Sequence, residues 1–151
     1  MTNLVKSLFS KEDLHDISKF IGEQEQSTSG EIRVAIRERR SRSERALSVE
    51  ELARREFVSL GMTKTVGRSG ILIFMLMEDR QFFILADEGI HAKVGDDTWK
   101  SIAAELSKHF SDKKFREGIR HGIQSVGLVL AKHFPRTSGD RNELPNSVSV
   151  K

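Results

Sequence analysis

Hydrophobic and polar positions follow two different periods along this chain. Residues 11–26 and 48–60 carry apolar side chains three or four positions apart, which predicts two helices. Residues 31–37 (EIRVAIR) alternate polar with apolar side chains, as expected of a strand covered on one face. Residues 71–77 (ILIFMLM) are apolar throughout, which is typical of a central strand buried on both faces. The order strand, helix, strand predicts a right-handed parallel crossover.

The second half of the chain predicts a return strand and two more helices. Residues 81–86 (QFFILA) follow a turn and should run antiparallel to the central strand, while residues 90–94 are expected to add a short edge strand. Helical spacing recurs from Asp97 or Thr98 and again over residues 115–134. We therefore expect an α/β fold with a mixed sheet of three to four strands and helices on both faces.

Pro135 ends the last helical pattern, and residues 136–151 show no period of their own. We expect one domain over residues 1–135. Residues 136–151 should form a C-terminal tail that either drapes over the domain or is disordered. If the tail docks, Asp140 and Glu143 could join the acidic loop described below.

Composition narrows the possible functions. The 151 residues carry a net charge of +3 and contain no cysteine, which excludes disulfides, thiolate catalysis and cysteine-ligated metals. The longest apolar run is far shorter than the roughly 20 residues of a transmembrane helix, and no targeting segment is recognisable. We expect a cytoplasmic, monomeric protein without a transmembrane segment.

Motifs for nucleotide chemistry and for serine nucleophiles are missing from the sequence. The chain has neither a G-x-x-x-x-G-K-[ST] phosphate loop nor a G-x-S-x-G elbow. Residues 37–55 are rich in arginine, but no Phe or Trp lies between Phe20 and Phe57 to stack on bases. We therefore interpret the basic stretch as a solvated loop and expect no nucleic-acid partner.

The segment with the clearest chemistry is residues 86–99 (ADEGIHAKVGDDTW), which contains Asp87, Glu88, Asp96 and Asp97. It follows a strand and precedes a helix, where open α/β sheets bind ligands. Calcium requires six to eight oxygen ligands, which these carboxylates and nearby carbonyls could supply, although the spacing is not that of an EF-hand. The alternative is that Asp96 or Asp97 only caps the helix. His91 is a candidate proton carrier.

The chain as a whole resembles the TPM domain family, named for a plant thylakoid-lumen protein, a photosystem repair protein and a nematode receptor modulator. The segments that carry the resemblance are TSGEIRVAI, FVSLGMTKTVGRSGILIFM, DRQFFILADEGIHAKVGDDTW, FREGIRHGI and HFPRTSGDRNELPN. They are most similar to a small soluble bacterial branch of the family. The resemblance implies a three-layer Rossmann-like sandwich and a divalent cation, calcium or magnesium, with Asp96 as a ligand.

Two function classes follow from the resemblance. The first is an accessory or interaction module for the assembly, repair or modulation of protein complexes, including membrane protein complexes. The second is a metal-assisted acid phosphatase, in which Asp87, Asp96 or Asp97 would hold the ion. We favour the interaction module. One departure matters, because many family members have Asp-Asn-Gly where this chain has Arg68-Ser69-Gly70, and a positive charge there weakens a cation site.

Overall fold

The computed structural model describes residues 3–137 and 144–151. Within these residues the chain forms six helices and four strands, with short 3-10 turns at Arg42–Glu44 and Met62–Lys64. The elements are, in chain order, α1 (Asn3–Leu8), α2 (Lys11–Glu25), β1 (Glu31–Arg37), α3 (Val49–Ser59), β2 (Gly70–Leu76), β3 (Gln81–Ala86), α4 (Glu88–His91), α5 (Asp96–Ser111), α6 (Phe115–His133) and β4 (Ser149–Val150).

The four strands form one mixed sheet in the order β3, β2, β1, β4. β1 runs parallel to β2 and to β4, and β3 runs antiparallel to β2. Every residue of β2 is buried, as its continuous apolar run predicts. The parallel pairing of β1 with β2 across α3 confirms the strand, helix, strand order.

Helices cover both faces of the sheet, which confirms the expected α/β fold. One face packs against α1, α2, α5 and α6, with Ile32, Ile73 and Leu130 in its core. The other face packs against α3, where Leu52 and Phe57 belong to the same core cluster as Phe74 of β2. Because side chains alternate along a strand, β3 sends its even-numbered residues toward α5 and its odd-numbered residues toward α3.

The main helices begin where the sequence predicts. Ser10 accepts a hydrogen bond from the Asp13 N–H, and Ser48 accepts one from the Glu51 N–H, so both serines cap a helix that would otherwise begin with unpaired donors. Gly61 adopts the left-handed conformation just after α3. These local signals fix where α2 and α3 begin and where α3 ends.

Residues 90–94 do not form the expected edge strand. Asp87 accepts the Glu88 N–H and starts the short helix α4, and the chain turns from there into α5. Ile90 and Val94 are both buried, because a spacing of four residues puts them on one side of a helical turn. The fourth strand is instead β4, near the end of the chain, and α1 is a helix that the sequence analysis did not anticipate.

The outer edge of β1 is covered by the chain itself. β4 pairs with Ala35 and Ile36, the Lys151 N–H donates to the Ile36 carbonyl (2.9 Å), and the Glu38 N–H donates to the Lys151 carbonyl (3.1 Å). Nearer the start of β1, the Glu25 carboxylate accepts the Ile32 N–H at 2.6 Å. We call this the closed edge of the sheet.

The C-terminal segment lies against both faces of the sheet. Leu144 packs beside the α3 core, while Val148 and Val150 pack against the opposite core. Asp140 and Glu143, which we expected to join the acidic loop, lie outside the described residues. Among the helices of residues 3–137, none is long and apolar enough to cross a membrane.

Candidate functional site at the open edge of β3

The opposite edge of the sheet lies in a cleft. β3 forms its floor, α3 forms one wall, and α5 forms the other wall. The cleft has a volume of about 830 Å³, which is within the usual range of ligand pockets. We call this the open edge, because no described strand pairs with the outer side of β3.

The hydrogen-bond pattern shows which backbone groups of β3 point into the cleft. The Asp87 N–H donates to the Gly70 carbonyl of β2 at 2.9 Å, and the Gly89 N–H donates to the Arg68 carbonyl at 3.0 Å. Inward-facing positions recur every second residue in an antiparallel ladder, so the odd-numbered residues of β3 face β2. The N–H and C=O groups of Phe82, Ile84 and Ala86 therefore face outward.

Side chains of the two walls leave room above this edge. The α5 wall presents the small residues Ala103, Ala104 and Ser107 to the cleft. The α3 wall presents Phe57 and Val58, and Val58 is 64% exposed. Val58 is therefore an exposed apolar side chain in the same cleft as the outward backbone groups of β3.

The charges that line the cleft are unevenly paired. Each lining carboxylate contacts a basic group: Glu50 with Arg54 at 2.9 Å, Asp87 with Arg68 at 2.9 Å, Glu88 with Arg68 at 3.8 Å, and Asp96 with His91 at 3.3 Å. Arg80 and Lys100 also line the cleft, and neither makes an ion pair with any described residue. The formal charges of the lining therefore balance, with four carboxylates against four basic side chains, and Arg80 and Lys100 are the two of those cations that have no ion pair with a described residue.

Arg68 holds Asp87 with two hydrogen bonds. Its Nε lies 2.9 Å from Oδ2 of Asp87, and its Nη2 lies 3.0 Å from Oδ1. The Asp87 side chain is only 4% exposed, whereas the Arg68 side chain is 44% exposed. The hydrogen bonds to Asp87 raise the pKa of Arg68 above its usual value. We call this pair the Arg68–Asp87 clamp.

The structure does not gather the four predicted carboxylates around one point. Asp87 is in the clamp, Glu88 is 82% exposed at the start of α4, and Asp96 and Asp97 lie in the first turn of α5. Within residues 3–137 and 144–151, no three His, Asp or Glu side chains are arranged so that they could hold a metal ion. As placed, these residues do not fit a calcium ion, and the calcium site stays a prediction.

The capping alternative needs a correction. The N-cap residue of α5 is Gly95, and neither Asp96 nor Asp97 caps the helix through its side chain. The capping aspartate is Asp87, which caps α4. His91 lies at the end of α4, with its Nδ1 3.3 Å from Oδ1 of Asp96, so it has one acidic neighbour within the cleft.

Two buried acidic residues, Glu25 and Glu31, lie away from the cleft, and no sequence motif pointed to them. Glu25 and Glu31 are 4% and 2% exposed, although the alternation along β1 suggested that Glu31 faces solvent. Burial is the main cause that raises the pKa of Glu25, and the charge and hydrogen bond of Glu31 also raise it. The Ile32 N–H and the charge of Arg136 lower it, and the net result is a pKa of about 8. Glu25 therefore keeps its proton at neutral pH.

Comparisons with known proteins agree with this architecture. A family model described as TPM domain matches residues 5–129. Protein BA42 from the psychrophilic bacterium Bizionia argentinensis has a solution structure that is similar, with a TM-score of 0.84, 34% identity and 95% coverage of each chain. No curated protein matches.

Two more distant structures share the fold alone. One is the N-terminal domain of a P. gingivalis protein, with a TM-score of 0.68 and 16% identity over 84% of this chain and 79% of that one. The other is the N-terminal domain of the cg2496 protein from Corynebacterium glutamicum, with a TM-score of 0.60 and 17% identity over 89% and 79%.

Proposed function

The chain belongs to the TPM domain family, and on that premise we propose that it is a protein-interaction module whose cleft binds an extended segment of a partner protein. Such a module would serve as an accessory in the assembly, repair or modulation of protein complexes. The observation that carries the proposal is the open edge of β3, where Phe82, Ile84 and Ala86 turn their backbone groups into a walled cleft. This is the arrangement that β-strand addition requires.

An added strand would make main-chain hydrogen bonds to those three residues. Its side chains would then alternate between the α5 wall and the α3 wall, because successive side chains of a strand point to opposite faces. The small residues Ala103 and Ala104 leave space for large apolar side chains on the α5 side. Main-chain bonds would supply affinity, and the two walls would supply selectivity.

The shape of the cleft favours a single segment over a second copy of this chain. α3 and α5 stand on opposite faces of β3 and both line the cleft. A second copy would bring its own α3 and α5 to the same edge, where they would meet these walls. A bare extended segment has no covering helices and fits between them.

The unpaired charges indicate the chemistry of that segment. Arg80 and Lys100 are free of ion pairs in the described part of the chain, whereas each lining carboxylate already has a basic neighbour. Complementary charge therefore favours an apolar segment that carries acidic residues. Changing Arg80 or Lys100 to Glu should weaken such binding, and added salt should weaken it in the unmodified protein.

A selection experiment tests the proposal. Random displayed peptides of about ten residues, longer than a typical strand, are selected on the protein, and bound peptides are mapped by amide NMR. We expect shifts and slowed hydrogen exchange at Phe82, Ile84 and Ala86. Ala104→Trp, which fills the cleft from an exposed position, should abolish binding, and Ser101→Trp on the outer side of α5 is the matched control.

Either of two results would contradict the interaction surface. One is that selected peptides shift residues away from the cleft. The other is that Ala104→Trp and Ser101→Trp bind the selected peptides equally well, because filling the cleft would then be without effect. Both variants change exposed residues, so their folds should survive.

The phosphatase alternative has one observation in its favour. His91 and Asp96 form an acid–base pair in a cleft that also contains Arg68, Arg80 and Lys100, which are suited to a phosphoryl group. Hydrolysis of an aryl phosphate, measured with and without calcium or magnesium, tests it. Activity that disappears in Asp96→Asn would favour the enzyme over the interaction module.

A further inference from the structure

The Arg68–Asp87 clamp lies where the sequence predicts a divalent cation. We propose that the guanidinium of Arg68 is a built-in counter-ion for Asp87, which excludes calcium from this position, so that the cleft keeps its shape without a metal. The proposal is independent of what the cleft binds. It rests on the two hydrogen bonds of the clamp and on the way the chain holds Arg68 in place.

Backbone contacts hold Arg68 beside Asp87. The Arg68 carbonyl accepts the Gly89 N–H at 3.0 Å, and the Ser69 N–H donates to Oγ1 of Thr65 at 3.0 Å. A Cβ at position 89 would lie 2.0 Å from the Gly67 carbonyl oxygen, so only glycine lets the two loops approach this closely. Arg68 itself has a φ of 52°, which is uncommon for a residue with a side chain.

The donors of the clamp occupy the oxygens that a metal would need. Oδ2 of Asp87 accepts a hydrogen bond from Nε of Arg68. Oδ1 accepts two, one from Nη2 of Arg68 and one from the Glu88 N–H, the latter at 2.7 Å. The adjacent carboxylate in the chain, Glu88, lies 3.8 Å from Nη1 of Arg68 through its Oε2. A divalent ion would have to displace Arg68 from a carboxylate that is almost fully buried, against the repulsion of a fixed positive charge.

Calcium titrations followed by amide NMR test the proposal. Arg68→Asn removes the charge and suits the left-handed conformation, since asparagine tolerates positive φ. We expect shifts in residues 86–98 with an affinity about tenfold or more above that of the unmodified protein. Arg80→Asn is the matched control, because Arg80 has the same φ of 52° and also lines the cleft, but makes no clamp. Its calcium response should equal that of the unmodified protein.

Two further measurements keep the test decisive. If Arg68→Asn lacks a native amide spectrum, Arg68→Gly replaces it, with Arg80→Gly as control, because glycine accepts the same φ without strain. In the unmodified protein, the Nε–H signal of Arg68 should stay resolved and unchanged by calcium. The proposal is overturned if calcium shifts that signal in the unmodified protein. It is also overturned if Arg68→Asn and Arg80→Asn gain calcium affinity equally, or if a folded Arg68 variant gains no calcium affinity.

Discussion

At the closed edge, the outer side of β1 is covered by other parts of the same chain. β4 pairs with the end of β1, and the Glu25 carboxylate accepts the Ile32 N–H. On the β3 side, the outward backbone groups face a cleft between α3 and α5. Uncovered strand edges promote unwanted association, and natural proteins usually protect them. α3 and α5 protect the edge of β3 in this way, because the cleft between them has room for one extended segment but not for a second sheet.

We infer that the covered edge at β1 stabilises the fold, whereas the open edge at β3 serves binding. Changes at the closed edge should therefore alter the free energy of unfolding. Changes at the open edge should alter binding and leave stability nearly unchanged.

The largest effect is expected from removing β4. Deletion of Ser149–Lys151 eliminates the apolar contact of Val150, two backbone hydrogen bonds at Ile36 and Glu38, and the 2.8 Å contact of Lys151 with buried Glu56. We expect the free energy of unfolding, measured with urea, to fall by about 3 kcal/mol when these interactions are lost together. Lys151→Ala is the control and should lose less, because it keeps the strand pairing. A loss below about 1 kcal/mol would mean that β4 does not stabilise the edge.

The next effect concerns pH at the closed edge. The pKa of Glu25 is raised by burial from 4.5 to about 8, so the folded protein holds this proton more tightly than the unfolded chain. The associated stability is complete below pH 4.5 and is lost as the pH rises toward 8. The slope should reach at most about 1.4 kcal/mol per pH unit.

Glu25→Gln should flatten this pH dependence, because glutamine keeps an acceptor for the Ile32 N–H and carries no charge at any pH. Glu23→Gln, at an exposed position of the same helix, should leave the slope unchanged. Urea unfolding between pH 5 and pH 8 measures both. Equal slopes in Glu25→Gln and the unmodified protein would contradict the raised pKa of Glu25.

The smallest effect lies at the hairpin that leads into the open edge. Arg80 has a φ of 52°, which strains a residue with a side chain. Arg80→Gly should relieve that strain, partly offset by the greater freedom of glycine in the unfolded chain, and raise stability by about 0.5 kcal/mol. Arg68→Gly has the same φ but breaks the clamp, so it should lower stability instead. Thermal unfolding of the two variants distinguishes these outcomes.

Elements that depend on local patterns could be predicted from the sequence. The stripe of α3, its Ser48 cap and the apolar run of β2 each reflect interactions within a few residues. Residues 90–94 were misassigned because a short apolar pattern suits a strand as well as a helical turn. β4 has two residues and no period, and its position depends on pairing with Ala35, more than a hundred positions away.

The chemistry of the site was harder to predict for the same reason. The sequence shows that Asp87, Asp96 and Asp97 are close together along the chain, but their surroundings depend on distant residues. Arg68 reaches Asp87 only because β2 and β3 pair. The sequence showed Arg68 as a departure from the family pattern. In the structure, the charge of Arg68 pairs with Asp87. The burial of Glu25 and Glu31 had no such signal.

The parallel pairing of β1 with β4 also has a consequence for protein synthesis. β1 leaves the ribosome long before residues 149–151 are made, and translation proceeds at about 5–20 residues per second. β2 and β3 follow by Ala86, and the roughly 60 residues between there and β4 take several seconds more, during which a sheet formed from these three strands has two uncovered borders. Chaperones that bind exposed strands can act during that interval, which ends when Ser149 and Val150 have emerged and pair with β1.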